Sequence, residues 1–199
     1  SDADLEEALN NIDEKDLDEL LKKIENENGS NTLSFSPGGS DNSVILGLDV
    51  SSDGKYIASV SGHDKQRFVL TKNDGLQPVI VYHQFLNSDL QRRTLVHFTK
   101  DNKRVIYNYE NNLGIYNIEK GKNTNIKIDK TIISIEETDS LIFVLGQKGN
   151  EYTVYLIEGT DTLEGSFSFT ANTAFIKTSG NCLFVGHDST ISKINVTKE

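Results

Sequence analysis

The chain has 199 residues, two prolines, one cysteine and a formal charge of −10. That length suits one sizeable core with an appendage, and a lone cysteine, Cys182, excludes an internal disulfide framework. No apolar run approaches the roughly 18 residues of a membrane span, and no charged-then-apolar signal peptide opens the chain.

No methionine occurs, even at position 1, which is the expectation for a processed or excised piece. The compartment stays open: the cytoplasm is slightly favoured, and an extracytoplasmic or periplasmic setting is compatible. The charge is unevenly placed. Residues 1–28 hold eleven acids against Lys15, Lys22 and Lys23, a net of −8, whereas the rest carries only −2. A global nucleic-acid footprint is therefore absent, which argues against such a partner.

The first element in chain order reads as an acidic amphipathic helix over 1–28. Leu5, Leu9 and Ile12, then Leu17, Leu20, Leu21 and Ile24, recur at three- and four-residue spacing, with a break allowed near Asn10–Glu14. An isolated helix of this length is marginal in water, so the stripe needs a surface to bury against. That surface is either the body of the same chain, or a partner helix or coiled coil used for docking or oligomerisation. The two stand as equal alternatives.

Residues 29–42 form a turn-rich linker holding one alternating segment, Thr32-Leu33-Ser34-Phe35-Ser36, that reads as a strand. From Ser43 onward, to residue 199, the pattern changes to short strands separated by polar turns. Four stretches align without gaps at their cores: Leu48–Ser59, Val96–Tyr107, Ile133–Val144 and Ala174–Val185. Their starts lie 48, 37 and 41 residues apart, near the roughly 40–45 residues of a propeller blade. Each is an alternating strand, a polar turn and a more continuously apolar strand. The turns place Gly54, Asn102, Asp139 and Gly180 at one shared position, residue types that tolerate a left-handed backbone.

Two further strands follow each of the first three hairpins: Gln66–Thr71 and Pro78–Gln84, Leu113–Asn117 and Asn123–Ile128, Glu151–Glu158 and Leu163–Phe169. The fourth hairpin has only Thr190–Val196 after it, and Thr32–Ser36 is the candidate for a sixteenth, ring-closing strand. The expected fold is all-β, a small four-bladed β-propeller-like domain of about 16 short strands.

The run Leu48-Asp-Val-Ser-Ser-Asp-Gly-Lys-Tyr-Ile-Ala58 resembles the hairpin of WD-repeat and related propellers, and Thr99-Lys-Asp-Asn-Lys-Arg-Val-Ile-Tyr107 repeats it. The resemblance spans about Ser43 to Val196. It implies propeller architecture only, because the chain lacks tryptophan and its Gly62-His63 and Gly186-His187 fall after the second strand.

Chemistry-bearing patterns are sparse. His63-Asp64 and His187-Asp188 share a Gly-His-Asp context in the first and fourth units, which a four-bladed ring makes neighbours. Ordinary polar turns are the stronger reading of both. No His-x-His, zinc-ligand pair, phosphate loop or dinucleotide fingerprint is present, so no metal, cofactor or catalytic residue is assigned. Glu136 and Glu137 are adjacent at a strand-to-turn junction and so point apart.

The second unit is locally basic around Arg92, Arg93, Lys100, Lys103 and Arg104, with Tyr107, Tyr109 and Tyr116 interleaved in strand positions that pack between blades. The basic patch is read as a surface for an acidic helix of this or another chain. The expected function is a non-catalytic protein–protein interaction scaffold. The alternative is a ligand- or metal-binding sensor propeller, of bacterial extracytoplasmic type.

Overall fold

The structure is a computed structural model of the chain, and it describes residues 44–62, 66–73, 78–86, 94–109, 111–139, 141–159 and 161–196. The helical stripe from Leu5 to Ile24 and the strand candidate Thr32–Ser36 lie outside the described residues.

Among the described residues fifteen strands form four antiparallel meanders, each in sequence order. The first sheet comprises β1 (Val44–Val50), β2 (Tyr56–Gly62), β3 (Gln66–Lys72) and β4 (Val79–Leu86). The second comprises β5 (Val96–Phe98), β6 (Arg104–Tyr109), β7 (Asn112–Asn117) and β8 (Lys122–Lys127). The third comprises β9 (Thr131–Glu137), β10 (Ile142–Lys148), β11 (Glu151–Ile157) and β12 (Leu163–Thr170). The fourth comprises, among the described residues, β13 (Ala174–Ser179), β14 (Cys182–His187) and β15 (Thr190–Asn195). These match the expected strands to within a residue or two at most ends.

The sheets stack face to face, and the stacking explains the sequence pattern. A middle strand buried on both faces reads as a continuous apolar run, because successive side chains enter opposite cores. In β10, Ile142 and Val144 join the core shared with the second sheet. Phe143 and Leu145 join the core shared with the fourth. In β6, Val105 and Tyr107 face the first sheet, and Ile106 faces the third. Three cores thus occupy the three joints between successive sheets. Each fully buried side chain such as Phe68, Leu113 or Ile176 contributes about 1.5–3 kcal/mol of burial.

We call the face turned toward the next sheet the forward face. In β2, β6 and β10 it is carried by Ala58 and Val60, Ile106 and Asn108, Phe143 and Leu145. The aligned positions in β14 are Phe184 and Gly186, and among the described residues no core cluster covers them.

The hairpin turns repeat their chemistry in the first two sheets. The Ser51 hydroxyl donates to Asp53 Oδ1 at 2.7 Å and accepts from the Tyr56 amide at 2.9 Å. The Thr99 hydroxyl does the same with Asp101 Oδ1 at 2.6 Å and the Arg104 amide at 3.0 Å. Gly54 (φ 70°) and Asn102 (φ 56°) hold the left-handed position, which glycine and asparagine adopt at least cost.

The third turn departs from this alignment. Asp139 does not take a left-handed conformation. The turn instead closes through the Thr138 amide on the Leu141 carbonyl at 2.9 Å. The fourth is a tight hairpin through Gly180 (φ 54°) between the paired residues Ser179 and Cys182. Alignment in sequence there hid two differing turn lengths.

Candidate interaction surface

At the hairpin-turn end, polar staples link each sheet to the next. Asp49 Oδ2 accepts the Phe98 amide at 2.7 Å, and the Ser52 amide donates to Asn102 Oδ1 at 2.9 Å. Glu136 and Glu137 diverge, as alternation along β9 requires. Glu137 turns to the second sheet, where its Oε2 accepts the Lys100 amide at 2.9 Å and lies 3.4 Å from His97 Nε2. Glu136 turns to the fourth sheet and pairs with Lys177 Nζ at 2.5 Å.

Four basic residues of the second unit carry ion pairs. Lys100 pairs with Asp139, Lys103 with Glu119, Arg104 with Asp161 and Lys130 with Glu151. The tyrosines interleaved with them sit in the first joint. Tyr107 stacks on Phe68 at 3.9 Å between centroids and Tyr82 on Tyr116 at 4.2 Å. The Tyr107 hydroxyl reaches Gln84 Oε1 at 2.8 Å and Asn123 Oδ1 at 3.0 Å. Burial pushes the phenols of Tyr107, Tyr82 and Tyr116 above their ordinary range. These rings are joint packing rather than an exposed stacking platform.

Of the sequence-assigned residues, His187 and Asp188 are described. Asp188 takes φ 48°, and its Oδ1 accepts the amides of Asn172 at 2.9 Å and Thr173 at 3.3 Å. The His187 ring lies 5.3 Å from that of Phe169. Asp188 thus closes a turn, and His187 packs beside an aromatic ring. Leu5, Leu9, Ile12, Leu17, Leu20, Leu21, Ile24, His63, Asp64, Arg92 and Arg93 lie outside the described residues.

Sequence reasoning missed a different surface, on the fourth sheet. Phe175 is 53% exposed and Ile191 69% exposed. Both stand on the forward face with half-buried Phe184, flanked by Lys177 and Lys193. Phe175 lies over Gly186, whose absent Cβ would meet the ring at 2.0 Å. Beside this face, β15 pairs with β14 alone among the described residues. Behind it a groove of about 360 Å³ opens between the third and fourth sheets, lined by Leu156, Phe167, Leu183, Ile194 and Val196 among others.

Four stacked antiparallel meanders, each joined to the next by an apolar core, define a β-propeller architecture. The chain belongs to a family described as beta-propeller protein, which matches residues 17–199.

An uncharacterized protein of Treponema pallidum is 24% identical over 170 residues, covering 84% of this chain and 45% of the relative. The AfRom2 CNH domain superposes with a TM-score of 0.58 at 12% identity, covering 84% of this chain and 57% of its own. Apo AztD from Citrobacter koseri gives 0.56 at 16% identity, covering 76% and 47%. The chain therefore spans about half the length of these proteins, and at such identities the structural likeness is one of fold. Among the described residues no helix is long and apolar enough to cross a membrane.

Proposed function

We propose that the protein is a non-catalytic protein–protein interaction platform. The observation that carries this reading is the forward face of the fourth sheet. Its Phe175, Phe184 and Ile191 present apolar surface on the side that packs against a neighbour in each preceding sheet. Exposed apolar patches rimmed by charge mark interaction sites. The rigid stack behind the face, stapled at Asp49, Glu136 and Glu137, keeps it in a fixed shape. The acidic stripe of residues 1–28 is a second docking element in this reading.

The test is site-specific photocrosslinking in cells that produce the full-length protein, with a benzophenone side chain replacing Ile191. The expected result is a covalent adduct with another polypeptide, absent when the probe replaces Lys120. Equal labelling at both positions, or none at position 191, contradicts the platform reading.

A further inference from the structure

Independently of the platform reading, we propose that Tyr82 and Tyr116 form an oxidative cross-linking site. Peroxyl-type one-electron oxidants would join the two phenols there into a dityrosine bridge between the first and second sheets. The sequence leaves such oxidants few other targets. The chain has no tryptophan, no methionine and one cysteine, against seven tyrosines. Methionine and cysteine are the side chains that commonly absorb oxidative damage. Five of the tyrosines, Tyr56, Tyr82, Tyr107, Tyr109 and Tyr116, gather at the first joint.

Geometry singles out one pair among them. The Tyr82 and Tyr116 rings stack at 4.2 Å between centroids, with 18° between their planes. Tyr82 stands on β4 of the first sheet and Tyr116 on β7 of the second. Tyr107 and Tyr109 are 6.0 Å apart and share one strand, so a link between them would join nothing new. The Phe68 ring lies 3.9 Å from that of Tyr107 and 6.1 Å from that of Tyr82. This aromatic column gives an electron hole formed at Tyr107 a short path to the stacked pair. Burial, together with the neighbouring Tyr116 phenol, holds the Tyr82 phenol above its ordinary range, and burial does the same for Tyr116. Both are neutral phenols at neutral pH and give up hydrogen as atoms.

The chemistry balances with two peroxyl radicals. The first takes a hydrogen atom from half-buried Tyr82 and becomes a hydroperoxide. Tyr82 recovers a hydrogen atom from buried Tyr116, and the second peroxyl radical removes it again. The two phenoxyl radicals couple through ring carbons ortho to oxygen. The ortho hydrogens then move to the oxygens, which restores both aromatic rings. The bridge closes a loop between two sheets and, like a disulfide, removes freedom from the unfolded chain.

The test exposes the full chain to peroxyl radicals from a thermally decomposing azo initiator, followed by tryptic mapping with tandem mass spectrometry. The expected product is a single intramolecular cross-link between positions 82 and 116, two hydrogens lighter than the parent peptides, with dityrosine fluorescence. Its formation should raise the midpoint of urea unfolding. Tyr116→Phe keeps the stacked ring and should abolish the link, whereas Tyr109→Phe should leave it intact. Circular dichroism melts establish that both variants fold. Chain unfolded in urea before oxidation should lose the preference for this pair. Bridges spread evenly over the tyrosines, bridges only between molecules, no bridge at all, or an unchanged yield in Tyr116→Phe overturns the proposal.

Discussion

Tyr107 is held between Phe68 of the neighbouring sheet and Gly114 of its own, its ring stacked 3.9 Å from the Phe68 centroid at an interplanar angle of 8°. A Cβ added at Gly114 would stand 2.3 Å from Tyr107 Cζ, so the glycine is what lets the ring lie flat. Tyr107→Ala should destabilise by about 3–5 kcal/mol, and Gly114→Ala by about 1–3 kcal/mol as overpacking. Urea unfolding measures both. A midpoint unmoved by either change would show that this sandwich contributes nothing to the first joint.

Acid should loosen the first hairpin. The Ser51 hydroxyl, then the Lys55 amide and side chain, hold the Asp53 carboxyl down from 3.8 to about 2. A lowered folded-state pKa contributes stability that is complete above the unfolded value and lost as pH falls through the folded one. The window is therefore pH 3.8 down to about 2. Asp101 is shifted the same way: burial opposes the shift, but hydrogen bonds from Thr99 and the Lys103 amide outweigh it. In melts across that window, Asp53→Asn should flatten the pH dependence, and Asp53→Asn with Asp101→Asn should flatten it further. An unchanged slope in the double variant refutes the assignment.

Thr71 offers a stabilising change. Its Oγ1 is buried without a hydrogen-bond partner among the described residues, and valine has the same shape. Removing an unsatisfied buried hydroxyl should raise stability by about 1 kcal/mol. Differential scanning calorimetry of Thr71→Val decides it, since a lowered Tm would mean that the hydroxyl is in fact paired.

Glu137 ties the second and third sheets and is 7% exposed. Glu137→Ala removes the acceptor of the Lys100 amide and should cost about 1.5–3 kcal/mol, the range for a hydrogen bond to a charged group. Glu137→Gln keeps an acceptor oxygen and should retain most of that stability. Equal losses in chemical denaturation would assign the effect to charge rather than to the amide contact.

Much of the fold was legible because local patterns are local causes. Ser51-x-Asp53-Gly54-Lys55 and Thr99-x-Asp101-Asn102-Lys103 spell out their turns, since every partner lies within five residues. The continuous apolar run Ile142–Leu145 announces a strand buried on both faces. Asp139 misled because gapless alignment assumes equal turn lengths. The staples were illegible for another reason: Glu136 and Lys177 stand 41 positions apart, as do Glu137 and Thr178, and nothing in the sequence links them before sheets stack. The shape of the groove depends on Phe167 and Ile194 from different sheets, which only packing brings together.

The alternation in β6 and β10 has a consequence for how the molecule comes apart. Each of these strands feeds two cores, so neither can detach without opening joints on both sides. Among the described residues β14 feeds one core, through Leu183 and Val185. Stability that is summed over neighbour contacts is then lower in such an end sheet than around β6 and β10. Opening should run like a zipper from β15 inward, with amides of the fourth sheet exchanging with solvent before those of β10. Anything that binds the end sheet would clamp the zipper at its free tooth.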